Sequence, residues 1–177
     1  ETIYGRVNVF FPSSKIYLDY ILRNKIFNIS SSRLTNNYFK GQLFGDLILF
    51  PFSIFDLKLD IDLLKFKKIL NSRFVNNNKF LSQIISFNKK INGNIIVNVD
   101  KIVSSSNIIN SGSANLEFKN SVLIVKEIKL IINKIGNIKL AGKIFQQKKK
   151  KVFIFNTKIN LDNPKIFYSR FLIPKKN

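Results

Sequence analysis

The chain contains no cysteine and no histidine. Without cysteine there is no disulfide, no thiolate metal ligand and no thiol nucleophile. Without histidine the usual general base, the usual zinc ligand and every Ser-His or Cys-His nucleophile pair are missing. Neither a G-x-x-x-x-G-K-[ST] nor a G-x-G-x-x-G loop is present, so nucleotide chemistry has no support. No apolar run approaches the ~18 residues of a membrane helix. No basic n-region with a small-residue cleavage site opens the chain. These absences set the expectation of a protein that is not an enzyme, with no catalytic residue, no metal site and no cofactor.

Acidic residues are also scarce, 10 Asp and Glu against 30 Lys and Arg, for a net charge of +20. Lys, Asn, Ile and Phe all have A/T-rich codons, but so do Asp and Glu, and codon bias alone does not explain the deficit. A polyanionic neighbour is the physical alternative: anionic headgroups, lipopolysaccharide or nucleic acid.

What the chain does have is hydrophobicity, 45% of 177 residues, enough for a folded β-rich domain over 1–177. Because it begins with Glu1, it is expected to be a processed product or a piece of a longer chain. Period-two alternation recurs almost throughout, the mark of sheet with one apolar face. Ile3, Val7, Val9 and Phe11 share one side of "TIYGRVNVFF", and Leu43, Leu47 and Leu49 one side of "GQLFGDLILF". In "FDLKLDIDL", Phe55, Leu57, Leu59, Ile61 and Leu63 alternate with Asp56, Lys58, Asp60 and Asp62. Further on, the same pattern groups Ile95, Val97 and Val99; Gly112, Ala114, Leu116 and Phe118; Ile128, Leu130 and Ile132; Ile138, Leu140 and Ile144; and Phe153, Phe155 and Ile159. Turns are expected at Asn92-Gly93, at 119–121, at 135–137 and at Asn163-Pro164-Lys165. From Gly93 onward the regular spacing predicts an antiparallel meander.

Four segments depart from this pattern. Leu63, Phe66, Ile69 and Leu70 have helical spacing, predicting a basic-faced helix over 63–74. Residues 79–90 read as a second helical or irregular piece, so that 63–90 forms an insertion. "YLDYILR", 17–23, reads as a short helix after Pro12. At the C-terminal end Asn163 is placed as a helix cap and Pro164 at the first helical position, with Ile166, Phe167 and Phe171 docking.

Each candidate site has a plain alternative. Asp56, Asp60 and Asp62 share one strand face, on which neighbours two apart are about 6.5–7 Å apart, and could serve as paired acid and base or as part of a calcium site. The favoured reading is a solvated face pairing with lysines. The "QQKKKK" stretch places Lys148, Lys149, Lys150 and Lys151 at the tip of a hairpin, with contact to an anionic membrane surface as its functional use. Phe beside Lys could suggest base stacking, but most Phe lie in register with the aliphatic face, and no RNA-binding signature is present. Nucleic acid is not the expected partner.

The apolar face must meet something. Either the sheet closes as a sandwich, or it curls into an open trough that meets an apolar ligand, and the pattern alone leaves both open. Two units carry a further clue. "GQLFGDLILFPFSIFDLKLDIDLLKFKKIL" is a Gly-led strand, then an Asp-aliphatic strand running into a helix. "GNIIVNVDKIVSSSNIINSGSANLEFKNSVLIVKEIKLIINKIGNIKLAGKIF" repeats the theme and closes on a Gly-x-x-x-Leu-x-Gly strand. With the tail "INLDNPKIFYSRFLIPKK", these resemble the AsmA-like envelope proteins, related to the repeating β-groove lipid-bridging proteins, over 41–177. The first forty residues match in strand pattern alone.

The resemblance implies a mainly β fold, a curled, taco-like antiparallel β-sheet meander with a few short helices. It implies a periplasmic protein anchored to the bacterial inner membrane through a segment outside this piece, supporting lipid transport and outer-membrane biogenesis. The partner it implies is a phospholipid or other acyl-chain lipid, held by the remainder of a longer membrane-anchored chain as well as by this piece. The groove lining would comprise Leu43, Leu47, Leu49, Phe55, Leu57, Leu59, Ile61, Ile95, Val97, Val99, Leu116, Phe118, Ile128, Leu130, Ile138, Leu140, Phe153 and Phe155. A structural β-sandwich module of an envelope protein and a basic nucleic-acid-binding domain are the alternatives.

Overall fold

Alternating side chains commit a strand to two unlike faces, and hairpin turns then decide which strands lie side by side. The computed structural model of the protein describes residues 1–48, 53–70, 91–104, 108–148 and 150–171. Its strands are β1 (Thr2–Phe11), β2 (Ser14–Arg23), β3 (Ile26–Asn36), β4 (Phe39–Ile48), β5 (Ser53–Lys65), β6 (Ile91–Val99), β7 (Ile102–Val103), β8 (Ile109–Lys119), β9 (Val122–Ile132), β10 (Gly136–Gln147) and β11 (Lys150–Leu161). Two short helices accompany them, α1 (Phe66–Leu70) and α2 (Pro164–Arg170). All the strands belong to one curled, unclosed, mostly antiparallel sheet. Its order is β1-β2-β3-β4-β5-β6-β8-β9-β10-β11, with β7 lying beside the end of β5.

Tight turns enforce the antiparallel neighbours. Asn24-Lys25 joins β2 to β3 with φ of 50° and 66°, and Asn120-Ser121 joins β8 to β9 with φ of 50° and 65°. Two residues at positive φ form the hairpin loop whose twist matches that of the flanking strands. Lys148, at φ 47°, lies in the turn from β10 to β11, and Lys150 and Lys151 open β11.

The meander is interrupted once. β5 and β6 are parallel, in register from Ser53↔Ile91 to Ile61↔Val99. A parallel return needs a connection of a dozen or more residues, and 66–90 is long enough for one. β7 prolongs the parallel contact through Leu64↔Ile102, supported by a hydrogen bond from the Leu64 amide to the Lys101 carbonyl at 2.8 Å.

Several local expectations are corrected. Residues 17–23 are strand, not helix: Leu18, Tyr20 and Leu22 face one way and Tyr17, Asp19 and Ile21 the other, and β2 is bonded on both sides. Of the helix expected over 63–74, Leu63–Lys65 belong to β5 and α1 covers Phe66–Leu70, while 71–74 lie outside the described residues, as does the segment 79–90. The turn expected at 135–137 falls earlier, because Gly136 already opens β10. Asn163 does not make a turn but caps α2, its side-chain oxygen accepting from the Ile166 amide at 3.2 Å. That helix buries no residue, and Phe171 is exposed, so the expected docking is not made.

Asn92-Gly93 is not a turn either; both residues lie inside β6. Gly93 is needed there because β5 approaches closely: a Cβ would lie 2.7 Å from the Phe55 ring and collide with the Phe55 carbonyl oxygen. Phe55 and Phe118 meet edge to face at 5.6 Å from the two strands that flank this glycine. We predict that Gly93→Val destabilises the fold by about 3 kcal/mol, through backbone displacement and loss of that ring contact. Urea unfolding of the variant beside the wild type measures it; an unchanged midpoint would mean that the β5–β6 spacing is not held at this point.

Candidate functional site

Residues directly opposite in a ladder share a face, so register alone traces each row of side chains across the sheet. One row runs from edge to edge as Ile3, Leu22, Phe27, Leu47, Phe55, Gly93, Phe118, Leu123, Ile144 and Phe153. The next is Gly5, Tyr20, Ile29, Gly45, Leu57, Ile95, Leu116, Val125, Gly142 and Phe155. A third carries Val7, Leu18 and Ser32 on one side and Leu43, Leu59, Val97, Ala114, Ile128, Leu140 and Thr157 on the other. The fourth is Val9, Ile16, Leu34, Gly41, Ile61, Val99, Gly112, Leu130, Ile138 and Ile159.

Every described member of the expected groove lining falls in these rows, on one face. Leu49 lies outside the described residues. The groove lining expected from sequence left out β2 and β3: Ile16, Leu18, Leu22, Phe27 and Ile29 complete the rows, and of these Leu18 and Leu22 lie in the segment 17–23 that was read as helix. Ser32 is the polar exception among buried side chains. It sits where the β3–β4 ladder skips, and its hydroxyl both donates to the Leu43 carbonyl at 2.8 Å and accepts from the Leu43 amide at 2.5 Å. The hydroxyl is therefore spent on backbone and leaves the apolar row intact.

Burial grades along the rows. Ile29, Ile61, Leu123 and Val125 are buried, and most other row members are half-buried. At the open edges exposure rises to 46% at Ile3, 54% at Phe153 and 52% at Ile159. Among the described residues no second sheet packs on this face, and α2 has no buried residue. The arrangement can take up apolar chain: each methylene removed from water contributes about 0.8 kcal/mol.

The opposite face carries the carboxylates. Asp56 lies directly across from Asp46, which accepts a hydrogen bond from Asn28 Nδ2 at 2.7 Å. Asp60 lies across from Asn98, whose Nδ2 donates to Oδ1 at 2.8 Å, and Lys58 Nζ reaches Oδ2 at 2.7 Å. Asp62 is exposed beside the register shift of the β4–β5 ladder. Further pairs are Arg6–Asp19 at 2.6 Å, Lys126–Glu117 at 3.1 Å and Lys139–Glu127 at 3.1 Å. Among the described residues no group of three or more Asp or Glu is placed to hold a metal ion. Lys150 and Lys151 are exposed at the start of β11, and Lys149 lies outside the described residues. No helix among the described residues is long and apolar enough to cross a membrane.

The hydrogen bond from Lys58, then that from Asn98, holds the Asp60 carboxyl below the usual carboxylate range, against a smaller opposing effect of burial. A carboxyl with a lowered folded pKa stabilises above its unfolded pKa, and that contribution is lost as pH falls through the folded value. Wild-type stability should therefore decline as the solution is acidified below the ordinary carboxylate range. Asp60→Asn should remove part of that decline while leaving stability in strong acid unchanged. Urea midpoints at neutral and acidic pH read both limbs, and parallel curves for the two proteins would contradict the assignment. No protein-family model, curated protein or solved structure matches the chain.

Proposed function

We propose that the protein is a non-enzymatic domain of the bacterial envelope that binds or guides the acyl chains of phospholipids along its apolar β-face, in support of lipid transport and outer-membrane biogenesis. The observation that carries this reading is the set of apolar rows. They cross the sheet from β1 to β11 without an ionised side chain and stay half-exposed over much of their length. A closed module would spend such a face on a facing layer; the described strands lie in a single sheet. The resemblance of the 41–177 strand motifs to AsmA-like proteins supports the same reading, in which the domain would be periplasmic and tethered to the inner membrane through another part of a longer chain. Lys148, Lys150 and Lys151 at the β10–β11 tip would meet the anionic membrane surface.

Lipid extraction of the purified protein followed by mass spectrometry tests the proposal, together with titration of a fluorescent fatty acid into delipidated protein. Phospholipid should co-purify. Leu57→Glu and Val97→Glu, at the centre of the second and third rows, should each lower bound lipid by about tenfold, since an ion placed there must be desolvated. Ile96→Glu, on the opposite face, should leave binding unchanged. A folded, delipidated protein that takes up no fatty acid, or equal binding by all three variants, would refute it.

A further inference from the structure

We infer that the outer edge of β11 is a docking edge for an extended segment of a partner protein that alternates apolar with acidic side chains, added as the next strand of the sheet. β11 ends the sheet, and among the described residues it pairs with β10 alone, in unbroken register from Gly136↔Leu161 to Gln147↔Lys150. It contains no proline and no bulge.

Its free backbone groups can be identified. The carbonyl oxygens of Ile154 and Asn160 lie against the positions that a Cβ would take on Gly142 and Gly136, so they point toward β10. Strand alternation then turns the amides and carbonyls of Phe153, Phe155, Thr157 and Ile159 outward. These same four residues end the four apolar rows, and Phe153 and Ile159 are 54% and 52% exposed. An added strand with apolar side chains at every second position would continue the rows.

The other face fixes the charge of the occupant. There Asp60, Asn98, Ser113, Lys129, Lys139 and Lys158 form one transverse row. Three lysines are thus directly opposite one another in adjacent strands, an arrangement that costs stability. Glu127 pairs with Lys139, and among the described residues no carboxylate pairs with Lys158, the last of the row. β11 has no acidic residue at all. An aspartate or glutamate on the next strand, opposite Lys158, supplies the missing counter-charge. The far edge differs: on β1, Arg6 is already neutralised by Asp19 of β2. A lysine placed merely to repel other strands would fit an edge without exposed apolar rows, and here those rows are present.

The test uses the whole protein and a synthetic peptide of about ten residues alternating leucine with aspartate, beside a second peptide with lysine in place of aspartate. The aspartate peptide should bind and slow amide exchange at Phe153, Phe155, Thr157 and Ile159, and the lysine peptide should not. Thr157→Pro removes one outward donor and leaves the bonds to β10 in place. It should weaken the aspartate peptide about tenfold, as loss of a backbone hydrogen bond and a strand neighbour requires. Lys158→Glu, which keeps every backbone donor, should reverse the preference between the two peptides. Equal binding of the two peptides, protection at β1 instead of β11, or a Lys158→Glu variant with unchanged preference would overturn the proposal. So would self-association of the chain through β11 without peptide, which would make a second copy the occupant.

Discussion

The structure depends on one parallel ladder. β1 to β5 form one antiparallel run and β6 to β11 another, and the pairing of β5 with β6 makes them a single sheet. Without it there would be two smaller sheets and two more open edges, each with unpaired backbone. Parallel pairs are slightly weaker than antiparallel ones, and reinforcement is concentrated here. Asn98 bonds Asp60 across the join on one face, Phe55 and Phe118 close over Gly93 on the other, and the Asp100 amide reaches the Ile61 carbonyl at 2.9 Å where β6 ends. β5 therefore lies at the middle of the strand order, and its alternation of apolar and acidic residues sets both faces at once.

A row of apolar side chains can cross so many strands only if no strand slips by one residue, because a slip reverses both faces. The ladder does shift locally, at Asp19/Tyr20, between Ile29 and Leu34, at Lys40/Gly41, between Ile109 and Ser111, at Asn115/Leu116 and between Leu140 and Gly142. Each shift leaves the four rows on their original side; at Lys40/Gly41 it turns Leu63 to the polar face opposite Lys40, and Leu64 takes the apolar side opposite Phe39. Extra residues enter as bulges, which add twist and curvature without exchanging the faces. The irregularities thus serve the curl of the sheet, and Ser32, the polar side chain caught inside one of them, is consumed by the backbone of β4.

Much of this was legible in the sequence. Strict alternation located the strands from Gly93 onward and sorted their side chains onto two faces, because a period of two needs no knowledge of partners. Residues 17–23 failed for a specific reason. Tyr17, Leu18, Tyr20, Ile21 and Leu22 are apolar or aromatic on both faces, so the alternation was masked. Asn92-Gly93 failed because a glycine required by a neighbouring strand looks the same, in one dimension, as a glycine required by a turn. The parallel join was illegible, since it depends on where a long crossover returns. The lysine row was illegible too: Lys129, Lys139 and Lys158 meet only once register is known.

A single sheet layer has a difficulty that its rows make plain. Burial of apolar surface contributes about 25 cal/mol per Å², and a half-exposed leucine or phenylalanine realises only part of that. Few of the described side chains are fully withdrawn from water. If acyl chains occupy the face, as proposed, they take the part that a second protein layer plays in a sandwich. Binding then adds to stability by RT ln(1 + [L]/Kd), so folding and lipid loading are linked quantities in such a domain. The same physics governs the edges. An open sheet must end somewhere, and its apolar rows end in exposed residues at both β1 and β11. What distinguishes the two ends is electrostatic: a neutralised arginine at one and an unmatched lysine at the other. An added strand must satisfy hydrogen bonds, apolar contact and charge together, and only the β11 edge leaves all three to be supplied from outside.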